Sequence, residues 1–83
     1  MIITIEISMY PFQSEYRPLI GDFIHQLNQY PNLTLSTSAT STIATGEFQY
    51  VMQTLTEMLQ WSYENHGKAV FVTKFIPGYD GVY

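Results

Sequence analysis

Ile5-Glu6-Ile7-Ser8-Met9-Tyr10-Pro11 and Ser41-Thr42-Ile43-Ala44-Thr45-Gly46-Glu47-Phe48 decide how this chain folds. Each is an extended run that breaks into a loop or turn just before a helical pattern. Together they divide the sequence into two similar halves, strand–helix–strand twice over. In the first, Ile3, Ile5, Ile7 and Met9 alternate with Thr4, Glu6, Ser8 and Tyr10. A period of two marks a strand with one face buried, here the odd-numbered face. Pro11 has no amide hydrogen to give to a ladder and ends the strand.

A helix is expected to begin between Ser14 and Pro18. Ser14 is the candidate cap, and proline is tolerated in a first turn. Leu19, Ile20, Phe23, Ile24 and Leu27 recur at helical spacing. Tyr30 precedes Pro31, which disfavours further helix. The next run, Leu33 to Thr45, is crowded with Thr and Ser. It is too long for one strand and lacks helical periodicity, so it reads as a hairpin: Leu33 to about Ser38, a turn at Ala39-Thr40, then Ser41 to Thr45. Gly46-Glu47 closes that strand and opens a second helix, with Glu47 in the first turn, where the dipole favours a carboxylate. Phe48, Val51, Met52, Leu55, Met58, Leu59 and Ser62 form its core face, and Gly67 is a natural stop. Lys68 to Ile76 is the last strand, ended by Pro77-Gly78, and the tail Tyr79 to Tyr83 is expected to fray or to be pinned on a partner.

The order β-α-β-β-α-β defines an α+β, ferredoxin-like (split βαβ) sandwich, a single domain over residues 1–83. Right-handed crossovers return each helix to a parallel neighbour and place both helices on one face of the sheet. The other face is left bare, carrying Thr4, Glu6, Ser8 and Tyr10 on the first strand.

The chain has 83 residues, a formal net charge of −4, three Lys plus Arg and no cysteine. A domain this small buries only about 60 % of its unfolded surface, and such domains often gain stability by oligomerising. Without cysteine there is no disulfide framework, thiolate metal site or thiol nucleophile. That suits a reducing cytoplasm, the expected location. Glu6 sits in the first apolar run and no apolar run approaches 18 residues, so neither a signal peptide nor a membrane span is expected. Arg17, Lys68 and Lys74 are too few to neutralise a phosphate backbone, which counts against nucleic acid. No glycine-rich phosphate loop is present. His25 and His66 share no motif with other metal-ligating side chains at metal spacing and adjoin no nucleophile elbow; His66 reads as a dipole-friendly end to the second helix. No metal, cofactor or catalytic residue is therefore expected.

What remains is a set of small polar and aromatic groups at strand ends. Tyr offers area and a hydroxyl, Ser a small hydrogen-bonding group, and Glu a charge. Glu6, Ser8 and Tyr10 on the first strand, with Ser38, Ser41 and Thr42 at the hairpin (where Thr40 adds a further hydroxyl), form a candidate ligand site. The plainer alternatives are a solvated outer strand face and the ordinary use of Thr in strands. Lys74, on the strand expected beside the first, can pair with Glu6 across the sheet. Trp61 lies off the core stripe of the second helix, on the flank of Tyr50 and Thr54, and marks either an interface or a surface beneath the tail.

On the two strings quoted at the outset, taken with the element order, the chain resembles the YkoF-like, thiamine/hydroxymethylpyrimidine-binding family of small ferredoxin-like proteins. The resemblance spans nearly the whole chain. It implies bare sheet faces packed together in homodimers or homotetramers, and a ligand such as thiamine or its pyrimidine moiety held without chemistry. Carried over, the binding positions are Glu6, Ser8, Tyr10, Ser38, Ser41 and Thr42. The chain departs from the pattern in its Ser/Thr-rich hairpin and at Phe75-Ile76-Pro77-Gly78. Two other readings stand beside the binder. One is a cofactor-free enzyme of the dimeric α+β barrel type, which would need a polar catalytic group inside the barrel, whereas both histidines fall on helices. The other is a ligand-free structural or regulatory oligomer. An RNA-recognition domain shares the topology but needs aromatic, basic strands, and the third strand here is neither.

Overall fold

The computed structural model describes residues 1–81. Its elements are β1 (Ile2–Pro11), α1 (Tyr16–Leu27), β2 (Thr34–Thr37), β3 (Thr42–Glu47), α2 (Phe48–His66) and β4 (Ala69–Pro77). The strands form one sheet in the order β2-β3-β1-β4, and every adjacent pair is antiparallel. This is the ferredoxin-like arrangement. One expectation needs correction: the strand to which each helix returns is not a hydrogen-bonded neighbour, because the other half of the chain inserts a strand between them. That interleaving makes the sheet wholly antiparallel.

The odd face of β1 is the floor of the core. Ile3, Ile5, Ile7 and Met9 are buried, and Phe23 and Leu27 of α1, Ala44 of β3, and Val51, Leu55 and Met58 of α2 pack over them. The Phe23 ring meets Phe71 of β4 at 5.3 Å between centroids. Leu59 departs from its expected burial at 38 % exposed, and Ile24 is only half-buried. Ser62 is buried as expected, and Thr54, outside the expected face, is buried as well, so the core stripe is rotated towards Thr54. The same rotation draws the flank of Tyr50, Thr54 and Trp61 partly into the protein. Thr54 is buried, Tyr50 donates its hydroxyl to the Pro31 carbonyl at 2.6 Å, and Trp61 lies half-buried, edge-on to His66.

The helix ends also show how local chemistry sets boundaries. Glu47 is the cap of α2, one position before its first turn; its carboxylate accepts hydrogen bonds from the amides of Gln49 (3.0 Å) and Tyr50 (3.2 Å). These bonds, Gln49's first, hold its carboxyl below the usual carboxylate range. Just before it, Gly46 brings β3 against α2 so closely that an added Cβ would stand 3.1 Å from both Leu33 and Val51 side-chain carbons. Gly67, at φ 75°, ends α2 in the left-handed region that glycine adopts at little cost. Ser14 is not the α1 cap: that position falls to Glu15, whose side chain makes no capping bond. The tail after β4 turns back onto its own sheet, where the Tyr79 carbonyl accepts the Thr4 hydroxyl at 2.7 Å. Thr4 is consequently buried, not displayed on the bare face. The end of the tail, Val82-Tyr83, lies outside the described residues.

Candidate functional site

Strand pairing dictates which side chains share the face opposite the helices. In an antiparallel sheet, paired residues point the same way. Glu6 pairs with Ile43 on one side and Lys74 on the other; Ser8 pairs with Val72, and Tyr10 with Val70. The hairpin turn folds over this region, because Ser8 Oγ donates to the Thr40 carbonyl at 3.0 Å. The result is an open hollow of about 330 Å³ lined by Glu6, Ser8, Tyr10, Thr40, Ser41, Val72 and Lys74.

Its polar centre is a three-residue contact. Ser41 Oγ donates to Glu6 Oε2 at 2.9 Å. Lys74 Nζ lies 3.3 Å from Glu6 Oε1, the cross-strand pair anticipated from the sequence. The Ser41 bond first, and Lys74 second, hold the Glu6 carboxyl below the usual carboxylate range. Glu6 is thus a charged hydrogen-bond acceptor over neutral pH and a poor proton acceptor, since a useful general base is matched to the working pH. Around it the face is apolar: Tyr10, Ile43, Val70, Val72 and Ile76 are all exposed large side chains.

The structure separates the expected site residues. Glu6, Ser8, Tyr10 and Ser41 come together in this hollow. Thr42 pairs with Ile7, so it points to the helix side, where it is buried and its hydroxyl lies 3.2 Å from that of Thr37. Ser38 is occupied by the hairpin itself: its hydroxyl donates to the Ser41 carbonyl and accepts the amides of Thr40 and Ser41. Both residues line a narrow cleft under the turn on the helix side, with Ile7, Met9, Ile20 and Phe23. A neighbouring hollow of about 390 Å³, which shares Met9, Ile20, Ala39 and Thr40 with this cleft, is lined also by Tyr10, Pro11 and Tyr16. Tyr10 and Thr40 therefore stand on the rim between the two sides.

Thr40, noted in the sequence only as a further hydroxyl at the hairpin, lines the sheet-face hollow, and Val72 and Lys74 join it without having been read as site residues. The signal for Val72 and Lys74 was the alternation Val70, Val72, Lys74, Ile76 once β4 is placed beside β1. Among the described residues no group of three or more His, Asp or Glu side chains is placed to hold a metal ion. His25 is exposed on α1, and His66 ends α2 with Nε2 3.4 Å from Asp22, so neither histidine lies in the hollow. No described helix is long and apolar enough to cross a membrane.

No known protein-family profile matches the chain, and no curated protein matches it. Solved structures do match in shape. A Streptococcus pneumoniae protein superposes with a TM-score of 0.85 at 23 % identity, covering 95 % of this chain and 89 % of that one. A Thermotoga maritima protein carrying a provisional thiamine biosynthesis/salvage name superposes at 0.81 with 17 % identity, covering 90 % and 82 %. A Bacillus cereus domain of unknown function, DUF77, superposes at 0.70 with 15 % identity, covering 92 % and 75 %. At these identities the likeness establishes the ferredoxin-like fold.

Proposed function

We propose that this protein is a non-enzymatic binder of a small heteroaromatic molecule, thiamine or its hydroxymethylpyrimidine moiety, in the manner of the YkoF-like proteins. The observation that carries the reading is the sheet-face hollow in which Tyr10 overlooks the Glu6–Ser41–Lys74 contact. A flat ring with hydrogen-bonding edges needs an aromatic surface and a few convergent polar groups, and this hollow supplies both. The shape likeness to a protein named for thiamine biosynthesis or salvage supports the ligand class.

The apolar rim supports a second part of the proposal: two sheet faces pack together in a homodimer or homotetramer and close the hollow from above. Burying about 800 Å² per subunit would make a standard-size contact. The cysteine-free composition favours a cytoplasmic setting. The non-enzymatic character rests on the histidines lying outside the hollow and on the low proton affinity of Glu6.

Thermal-shift measurement with thiamine and with hydroxymethylpyrimidine tests the binder. A rise in Tm with either ligand is the expected result, and no shift at millimolar ligand removes the reading. Unchanged ligand after prolonged incubation is expected; a converted product would restore the enzyme alternative. Sedimentation showing a stable monomer at high micromolar concentration would remove the face-packed assembly.

A further inference from the structure

A hollow of about 410 Å³ lies beside the last turns of α2, on the helix side of the sheet. Its walls come from three segments. Leu59 and Tyr63 stand one turn apart on α2, Ala69 and Phe71 begin β4, and Phe12 follows β1. Gly67 and Lys68 complete the lining. None of these residues lines the hollows on either side of the hairpin turn. The core uses Ala69 and Phe71 but not Phe12, Leu59 or Tyr63. Those three are 68 %, 38 % and 64 % exposed. Single exposed apolar side chains are ordinary, whereas apolar side chains that converge on one hollow mark a binding surface.

The hollow is formed in advance by backbone ties between its walls. Phe12 N donates to Lys68 O at 3.5 Å. Gln13 Nε2 donates to His66 O at 3.1 Å. Both bonds fasten the segment after β1 to the end of α2. Gly67 turns the chain there at φ 75°, and nothing stands within 4 Å of where its Cβ would be, so the space above it stays open. Ligand sites are commonly of this kind, largely preformed and apolar, with a few polar groups that fix orientation.

Charge selects the occupant. The chain has three Lys plus Arg. Lys74 is held by Glu6 on the other face, and Arg17 lies on α1, outside the hollow. Lys68 is exposed, lines the hollow and forms no ion pair with a described residue. No carboxylate lines the hollow among the described residues. In a chain of net charge −4, this is a local site of opposite sign.

We infer that this hollow binds a small aryl carboxylate, a molecule with one flat ring and one anionic group. The ring packs among Phe12, Tyr63 and Phe71, where offset or edge-on aromatic contacts add to burial. The carboxylate takes a charge-assisted hydrogen bond from the Lys68 ammonium. A cationic ring of the thiamine type is repelled by the same ammonium. The site is therefore separate in place and in charge preference from the sheet-face hollow, and does not depend on it.

The test titrates the full, isotope-labelled chain with phenylpropionate, phenylpropanol and phenylpropylamine, which share a ring and linker and differ in charge. Saturable shifts of the Phe12, Gly67, Lys68 and Ala69 amide signals are expected with phenylpropionate, at about millimolar affinity. The alcohol should bind about two- to fivefold more weakly, as suits one exposed ion pair, and the amine more weakly again. Lys68→Gln should make acid and alcohol equal. Phe12→Ala should weaken both. Tyr10→Ala, on the other side of the sheet, should change neither, so loss of the thiamine reading would leave this one standing. Absence of saturable shifts at those amides, equal binding of acid and alcohol by the parent, or an acid preference that survives Lys68→Gln overturns the inference. Both replaced side chains are exposed; if either variant lost its fold, the three-ligand series on the parent decides.

Discussion

Lys74 Nζ lies 3.3 Å from Glu6 Oε1, a cation from the edge strand set against a carboxylate on a central strand. Under the proposed binding role, the pair bears directly on which ligand the sheet face would select. A carboxylate alone would favour a permanently cationic ligand such as thiamine over a neutral pyrimidine. With Lys74 in place, and Ser41 occupying the second oxygen, that preference is muted.

Replacing Lys74 with Met should therefore raise thiamine affinity while leaving the neutral pyrimidine nearly unchanged. Both groups are solvent-accessible, so the gain should be modest, about two- to fivefold. Glu6→Gln should act in the opposite sense, weakening thiamine more than the pyrimidine. Titration calorimetry with both ligands measures this; an equal effect on the two would show that charge plays no part in selection.

Tyr10→Ala should weaken binding more than Ser8→Ala, because it removes stacking area together with a hydroxyl. Ser8→Ala has a separate consequence. The Ser8 hydroxyl tethers the hairpin turn through the Thr40 carbonyl, so its loss should quicken hydrogen exchange at residues 38–41 without changing exchange in β1.

Glu47 makes stability depend on acidity. Its folded carboxyl titrates below the ordinary carboxylate value because the Gln49 and Tyr50 amides bind the charged form. The stabilisation is complete above the unfolded-state pKa and is lost as pH falls through the lowered folded-state value. Tm should drop as pH falls from the ordinary carboxylate range through the lowered folded-state value. Glu47→Ala should lower Tm at pH 7 and make the acid limb shallower; an unaltered acid limb would show that the cap contributes nothing.

Gly46 and Met58 test the packing that positions the site. An added Cβ at position 46 would press on Leu33, Val51 and the Asn32 carbonyl at 3.1 to 3.2 Å, so Gly46→Ala should cost about 1–3 kcal/mol. Met58 is completely buried, and Met58→Ala should cost about 2–5 kcal/mol. Denaturant unfolding checks both, and the full native signal should return when denaturant is removed.

The fold was legible because period-two alternation and helical spacing are local signals. Ile3 to Met9, and Leu19 to Leu27, announce their buried faces without knowledge of a neighbour. The site was legible in part. Glu6, Ser8 and Tyr10 share a face by alternation alone, and Lys74 follows once β4 is set beside β1. Thr42 is different: its orientation depends on pairing with Ile7, and a Ser/Thr run gives no apolar contrast from which to read which residues point inward. Ser38 illustrates a second limit, since a hydroxyl near a turn serves the turn first. Thr4 is buried by the returning tail, a long-range contact with no local signature, and Leu59 is exposed because the contact stripe of α2 is rotated towards Thr54.

Calorimetric titration of thiamine and hydroxymethylpyrimidine into the parent protein and into Tyr10→Ala tests the binding site most directly. The parent should bind one or both at micromolar or weaker affinity, as suits a small ligand with few contacts, and Tyr10→Ala should lose most of that affinity while keeping its fold. Absence of binding by the parent, or equal affinity in Tyr10→Ala, would contradict a ligand site on this sheet face.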